Sequence, residues 1–227
     1  MDSDLQVLLS RSPLFSSLDP PVLQKFYEYA VHKPLPSGIF LTLAGDLWPY
    51  LFLVAQGRLS ALKESSEGRT FVIAELAPGE VFWGLAFFKE AIPNPMSIQA
   101  NEDSSVYLWN REAVLDLLIE NGRMTWELSR LMVDRMLHAS SVIEGLAFQP
   151  VAGRLAQMLS KYYGHRKEDA IERNLTLDEM AARIGSTREM VCRILHRFAE
   201  EQIIDITRTE FRITDKGKLE NYLNIRK

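Results

Sequence analysis

The chain has 227 residues, 47% apolar and 25% charged, enough for one large domain or two ordinary ones and unlike any disordered, collagen-like or low-complexity polymer. Its formal net charge of −4, taken as a sum, argues against a protein that coats itself with nucleic acid or anionic lipid. Cys192 is the only cysteine, which excludes an intramolecular disulfide, a thiolate zinc site and a four-cysteine iron–sulfur cluster. Asp2 and Asp4 stand where a secretory signal carries basic residues, and no apolar run approaches the roughly 20 residues of a membrane span. The expectation is a soluble cytoplasmic protein with no membrane partner.

Asp19-Pro20-Pro21 opens a short helix through about Ala30, because proline is tolerated in the first turn, where its missing N–H has no helical partner. From about Ile39 to Tyr107 short apolar runs alternate with turn residues. Leu51 to Val54 leads to Gln56-Gly57, Leu59 to Leu62 precedes a polar turn ending at Gly68, and Phe71 to Leu76 precedes Pro78-Gly79. This predicts hairpin-linked strands of a barrel or sandwich.

Asn110 is placed to cap a helix running to about Ile119, which Asn121-Gly122 breaks. A long helix from about Arg123 to Ala147 follows. Leu128, Met132, Met136, Ala139, Ile143 and Leu146 recur along it at spacings of three and four. Such a stripe most often packs on its own domain. Here the length, roughly 37 Å at helical rise, favours a homodimer seam. Pro150 then interrupts, and a new helix begins near Val151 with no Gly/Ser linker between. The expected division of the chain is into segments 1–121, 122–148 and 149–227.

The C-terminal part holds the most specific signal. Thr176 and Ser186 are each followed three positions later by glutamate, at Glu179 and Glu189, which reads as two capping boxes ten residues apart. Gly185 between them can take the left-handed turn, giving helix-turn-helix spacing. At about 100° per residue, Val191, Ile194, Leu195 and Phe198 share an apolar arc on the second helix, and Arg188, Glu189, Cys192, Arg193, His196 and Arg197 lie opposite. A charged arc alone is usually a solvated face, but behind this turn it becomes a reading head. Arginine matches guanine O6 and N7 in the major groove and glutamate accepts from cytosine N4, so Arg188, Glu189 and Arg193 are expected at base edges, with an i,i+4 pair holding Arg193 to Glu189. Thr176 and Thr187 at the helix starts, with Arg197 and the hairpin-tip Arg208, suit phosphates. The hairpin Ile203–Ile206, Thr207–Glu210, Phe211–Thr214 completes a winged helix-turn-helix.

Over nearly its whole length the chain resembles the Crp/Fnr family of bacterial transcription regulators. The carriers are Ile184-Gly185-Ser186-Thr187-Arg188-Glu189 with Val191-Cys192-Arg193-Ile194-Leu195, the Gly145-Leu146-Ala147-Phe148 hinge, Gly153-Arg154-Leu155-Ala156 and, in the N-terminal part, Leu14-Phe15-Ser16-Ser17-Leu18, Ala44-Gly45-Asp46, Gln56-Gly57-Arg58-Leu59 and Pro78-Gly79-Glu80. The resemblance implies an α+β fold: an N-terminal jelly-roll-like β-roll sensor, a long dimerisation helix and a C-terminal winged helix-turn-helix. It implies a homodimer on palindromic double-stranded DNA with half-sites near TGTGA, an RNA polymerase partner, transcriptional activation and a small-molecule effector. It also implies an effector pocket, here around Glu80, Trp83, Ser97, Ala139 and Ser140, with Glu80 on a ribose hydroxyl.

The cofactor is left open by the residues. Family members that bind cyclic nucleotides hold the phosphate with an Arg-Ser/Thr pair, whereas this chain reads Pro93-Asn94-Pro95-Met96-Ser97 and has no arginine between Arg69 and Arg111. Burying a phosphate without a cation is costly, so cAMP is disfavoured. Phe82, Trp83, Phe87 and Phe88 resemble the haem- and nitric-oxide-responsive branch, which makes haem a candidate; His32, His138 and the methionines are ligands in principle, none is nominated, and no metal site is expected. Two further readings remain: a regulator that answers to a protein partner or to redox state, for which Cys192 among arginines is the sensor candidate, and a cupin-like enzyme, which lacks the clustered histidines and any catalytic motif. No enzyme activity is expected. The charge divides by half: residues 149–227 carry 15 basic against 12 acidic side chains, and 1–148 carry 11 against 18. The acidity belongs to the sensor, and the reader is mildly basic.

Overall fold

The computed structural model describes residues 3–16, 18–164, 171–172, 174–207 and 209–223. Three helices come first, α1 (Ser3–Arg11), α2 (Pro13–Ser16) and α3 (Pro20–Tyr29). A β-rich stretch follows: β1 (Val31–Leu35), β2 (Phe40–Thr42), β3 (Tyr50–Gln56), β4 (Leu59–Glu64), β5 (Thr70–Leu76), β6 (Val81–Trp83), the short α4 (Leu85–Phe88), β7 (Ser97–Ala100) and β8 (Ser104–Asn110). Next are α5 (Arg111–Glu120), α6 (Gly122–Phe148) and α7 (Val151–Tyr163). The chain ends with β9 (Ile171–Glu172), α8 (Leu177–Ile184), α9 (Arg188–Glu200), β10 (Ile204–Ile206), β11 (Glu210–Ile213) and α10 (Lys216–Leu223). It forms two compact units, Met1–Lys63 with Ile73–His138, and Glu64–Val72 with Ala139–Lys227.

The β-rich part is two four-stranded sheets, ordered β1-β8-β3-β6 and β2-β7-β4-β5. Side chains alternate along a strand, so the apolar run of β3 serves two cores. Phe52 and Val54 meet Leu59, Ala61, Ile98, Ala100, Val106 and Leu108 between the sheets. Leu51 and Leu53, with Tyr107 and Trp109, face Leu9, Phe15, Phe26, Val114, Leu117 and Leu128 of the helices. Trp109 is fully buried, and its indole N–H donates to the Phe26 carbonyl at 2.8 Å. Pro34 is accommodated because β1 is an edge strand, where an absent N–H breaks no ladder.

Asn110 caps α5 by accepting from the Glu112 amide, and Asn121 both ends α5 and caps α6 by accepting from the Met124 amide. The stripe expected to form the dimer seam divides on α6. Leu128 is buried in its own unit's core and is corrected from seam to intramolecular packing, whereas Met132 packs only partly on that core and Leu146, lying against Gly185, is half-buried. Met136, Ala139 and Ile143 stay outside, and the exposed apolar arc is completed instead by Trp126, Val133 and Leu137. The first turns of α6 lie on their own β-unit, which claims the side of the helix that faces it.

In the second unit, α7 supplies Leu155 and Leu159, α8 Met180 and Ile184, α9 Val191, Ile194, Leu195 and Phe198, and β11 Phe211 to one core. Strands β10, β11 and β9 form a three-stranded wing in the order β10-β11-β9. Pro150 is the N-cap of α7, so two residues, Gln149 and Pro150, join it to α6. Among the described residues no helix is long and apolar enough to cross a membrane.

Candidate DNA-reading helix and effector site

The start of α8 is a complete capping box: the Thr176 hydroxyl accepts from the Glu179 amide, and the Glu179 carboxylate accepts from the Thr176 amide at 2.7 Å and from its hydroxyl at 2.8 Å. Thr176 therefore already has both bonds within its own helix. At the other end Gly185 adopts φ +61°, and the amides of Gly185 and Ser186 both donate to the Ala181 carbonyl. That use of Ser186 moves the second cap. The N-cap of α9 is Thr187, whose hydroxyl accepts from the Met190 amide, so the box expected on Ser186 and Glu189 is not formed.

Val191, Ile194, Leu195 and Phe198 are buried, while Arg188, Glu189, Arg193, His196 and Arg197 are exposed and Cys192 is half-buried. Arg188 reaches Asp178 of α8 at 3.5 Å. Glu189 does not pair with Arg193. Its own backbone amide, then the Thr187 hydroxyl and the charge of Arg188, hold its carboxyl below the ordinary carboxylate value. Arg193 makes no hydrogen bond or ion pair among the described residues. Arg197 lies at the far end of the helix beside Tyr222, whose hydroxyl donates to Glu201. Arg208 lies outside the described residues.

The expected effector residues are largely committed to the fold. One Glu80 oxygen accepts from the Ala77 amide at 2.8 Å, closing the Pro78-Gly79 turn, and the other pairs with Arg135 of α6 at 3.2 Å. Arg135 also donates to the Val81 carbonyl and lies over the Phe82 ring at 5.3 Å, and its Nε is buried without a partner. Trp83 stacks on Phe82 and meets Phe88 edge-on. Ser97 accepts from the Ala44 amide. Ala139 and Ser140 are exposed on α6.

Asn94 stands in the segment where the resemblance implies a phosphate-binding arginine, and it is only 6% exposed. Its Oδ1 accepts from the Leu85 amide at the start of α4, its Nδ2 donates to Thr42, and its backbone exchanges bonds with Gly45 and Asp46. Asn94 is committed to the fold by these bonds and the segment 93–97 carries no arginine, so this segment does not offer a cationic partner to a cyclic phosphate. His138 Nε2 lies 3.2 Å from the Ile73 carbonyl oxygen, and His32 packs on the Tyr107 ring. Among the described residues no three His, Cys, Asp or Glu are grouped to hold a metal ion.

Residues 153–222 match the Crp-like helix-turn-helix domain, and residues 32–121 match the cyclic nucleotide-binding domain. The chain belongs to the Crp/Fnr family of transcription regulators. It is similar to the cyclic AMP receptor protein of Thermus thermophilus, 28% identical over 193 residues that cover 85% of this chain and 88% of that one. A putative Crp/Fnr-family transcriptional regulator from Eubacterium rectale superposes with TM-score 0.80 at 20% identity, covering 94% and 98% of the two chains. The c-di-GMP responsive global regulator CLP of Xanthomonas campestris gives 0.74 at 18%, covering 86% and 99%. These two structural likenesses speak for the fold. As a Crp/Fnr-family regulator the chain couples a DNA-binding helix-turn-helix to an effector-type domain, and dimeric action is typical of the family.

Sequence reasoning missed Arg135 and Asn94 in this Crp/Fnr-family chain. Arg135 was legible only as a charge beside the apolar stripe, and Asn94 only as the middle of Pro-Asn-Pro, a turn signal.

Proposed function

We propose that this regulator reads a palindromic DNA site as a homodimer, with Arg188, Glu189 and Arg193 of each α9 at base edges. The observation that carries the reading is the state of Arg193: exposed in the second turn of α9, on the side opposite the buried Val191, Ile194, Leu195 and Phe198, and without a hydrogen bond or ion pair among the described residues. Thr187 and Arg188 at the helix start are placed for the flanking phosphates and the first base. Thr176, already bonded within its own helix, contributes to phosphate binding less than the exposed Arg197. The exposed arc of α6, Trp126, Val133, Met136, Leu137 and Ile143, is the seam of the dimer. RNA polymerase is the partner the promoter-bound dimer addresses, and the protein is not an enzyme.

The test is selection of binding sites from random DNA, followed by affinity measurement with Arg188→Ala and Arg193→Ala. Each is expected to lose about 1–3 kcal/mol and to relax preference at one position per half-site. An equal loss on every sequence assigns these arginines to phosphates instead.

A second element of the reading concerns the effector. Both Glu80 oxygens are occupied and Asn94 is buried in the fold, which supports a regulator that does not take cAMP in the family manner. Calorimetric titration with cAMP is expected to show no heat of binding; a saturable one overturns this part.

A further inference from the structure

Arg154, in the second turn of α7, forms no ion pair among the described residues. Its guanidinium bonds only to carbonyl oxygens: Nε to Ile184 at 2.8 Å, Nη2 to Gly185 at 3.3 Å, and Nη1 to Gln149 at 2.8 Å and Gly145 at 3.5 Å. The first two acceptors are the end of α8 and the turn of the helix-turn-helix. The other two are the last turn of α6 and its junction with α7. Closing carbonyls of a helix have no partner within it and form the negative end of its dipole. One planar fork thus bonds carbonyls at two helix ends that would otherwise repel each other, the Gly145 oxygen being shared with the Gln149 amide. Burial pulls the pKa of Arg154 below the ordinary guanidinium value, a penalty these carbonyls offset. The same junction is packed as well as bonded, because Leu146 of α6 lies against Gly185. With only Gln149 and Pro150 between α6 and α7, little else in the backbone fixes the angle at this joint.

We propose that Arg154 is a positioning residue for DNA recognition: it holds the helix-turn-helix at one orientation to the end of α6 and so sets the half-site spacing the dimer accepts. The proposal rests on the dimeric, base-reading role given above to α6 and α9. Half-site spacing is a geometric property of a dimer, so a joint that holds both readers rigid makes it narrow, and a loosened joint widens it. Lysine cannot replace the arginine, since a single ammonium group cannot bridge both helix ends.

The experiment uses the full-length protein, wild type and the variants Arg154→Lys and Arg154→Met. The DNA is the palindrome selected by the wild type, the same palindrome with its spacer lengthened or shortened by one or two base pairs, and a single half-site. Thermal unfolding is recorded in parallel. The wild type is expected to bind one spacer best. Both variants are expected to lose about tenfold on that spacer while their half-site binding and their binding to altered spacers hold, which flattens the profile. A uniform loss on every duplex, half-site included, means Arg154 only stabilises the domain and overturns the proposal. So does an unchanged spacer profile in Arg154→Lys, which decides the matter if Arg154→Met does not fold. If the wild type selects no sequence, the base-reading role of α9 fails first and takes this proposal with it; a selected site with no spacer preference overturns the proposal alone.

Discussion

Arg188 Nη1 stands 3.5 Å from Asp178 Oδ2, joining the first residue of α9 to the first turn of α8 across the helix-turn-helix. Both side chains are well exposed, so the pair adds little to stability, within about 1 kcal/mol. Its effect falls on DNA, because Asp178 withdraws charge from a residue proposed to face the major groove. Asp178→Asn should leave the urea midpoint nearly unchanged and tighten binding a few fold, most at low salt. Fluorescence anisotropy over a salt series is the measurement, and weaker binding by the variant would count against the pairing.

Glu189 gives a pH prediction. Bonds to its carboxylate from its own amide and Thr187 depress its pKa in the folded state. Their stabilising contribution is present above the ordinary carboxylate value and is lost as pH falls through the depressed one. Base preference should therefore hold constant from about pH 5 to 8. The difference in unfolding midpoint between wild type and Glu189→Gln should shrink only in the strongly acidic range. A difference that disappears near neutral pH contradicts the assignment.

Gly185→Ala should be among the most damaging single-atom changes. The φ of +61° disfavours any side chain, and a Cβ would lie 2.7 Å from Leu146 Cδ2. A loss of about 1–3 kcal/mol is expected in urea unfolding. A neutral result would mean that the turn is free to relax.

Asn94→Arg places a cation in the segment where the family resemblance implies a phosphate-binding arginine, yet it should not create a site. It removes the bonds to Leu85 and Thr42 and buries a charge, so a fall in stability of about 2 kcal/mol or more and no gain in cAMP binding are expected. Differential scanning calorimetry with and without cAMP reads both.

The two sides of α6 should separate assembly from folding. Val133→Glu on the exposed arc should convert dimer to monomer in sedimentation with the unfolding transition preserved at low concentration. Leu128→Ala, in the core, should cost about 2–5 kcal/mol and leave stoichiometry unchanged. Reversed outcomes would return the seam to the Leu128 side.

How far the sequence could be read follows from the same residues. The strands around Leu51–Val54 and Leu59–Leu62, the caps at Asn110 and Thr176 and the left-handed Gly185 are local signals, and local physics placed them. The cap of α9 was displaced by one residue because Ser186-Thr187 offers two hydroxyls and only the path out of Gly185 decides between them. The stripe on α6 was visible, but periodicity identifies an apolar face without saying what meets it. Arg135, Asn94 and Arg154 were silent for a related reason: each acts through partners from distant segments, and spacing along the chain carries no trace of them. α1 and β9 were missed, the first because its pattern is mixed, the second because two residues make no pattern.

Trp109 and Trp126 differ in a way that serves an observer. The first is sealed, its indole bonded to Phe26; the second is 66% exposed on the outer arc of α6. Emission from Trp109 will be blue and shielded from acrylamide for as long as the N-terminal helices stay docked, whereas emission from Trp126 will be red and quenchable until another chain covers it. With Trp48 and Trp83 replaced by phenylalanine, the two remaining indoles would gauge the fold and the assembly separately.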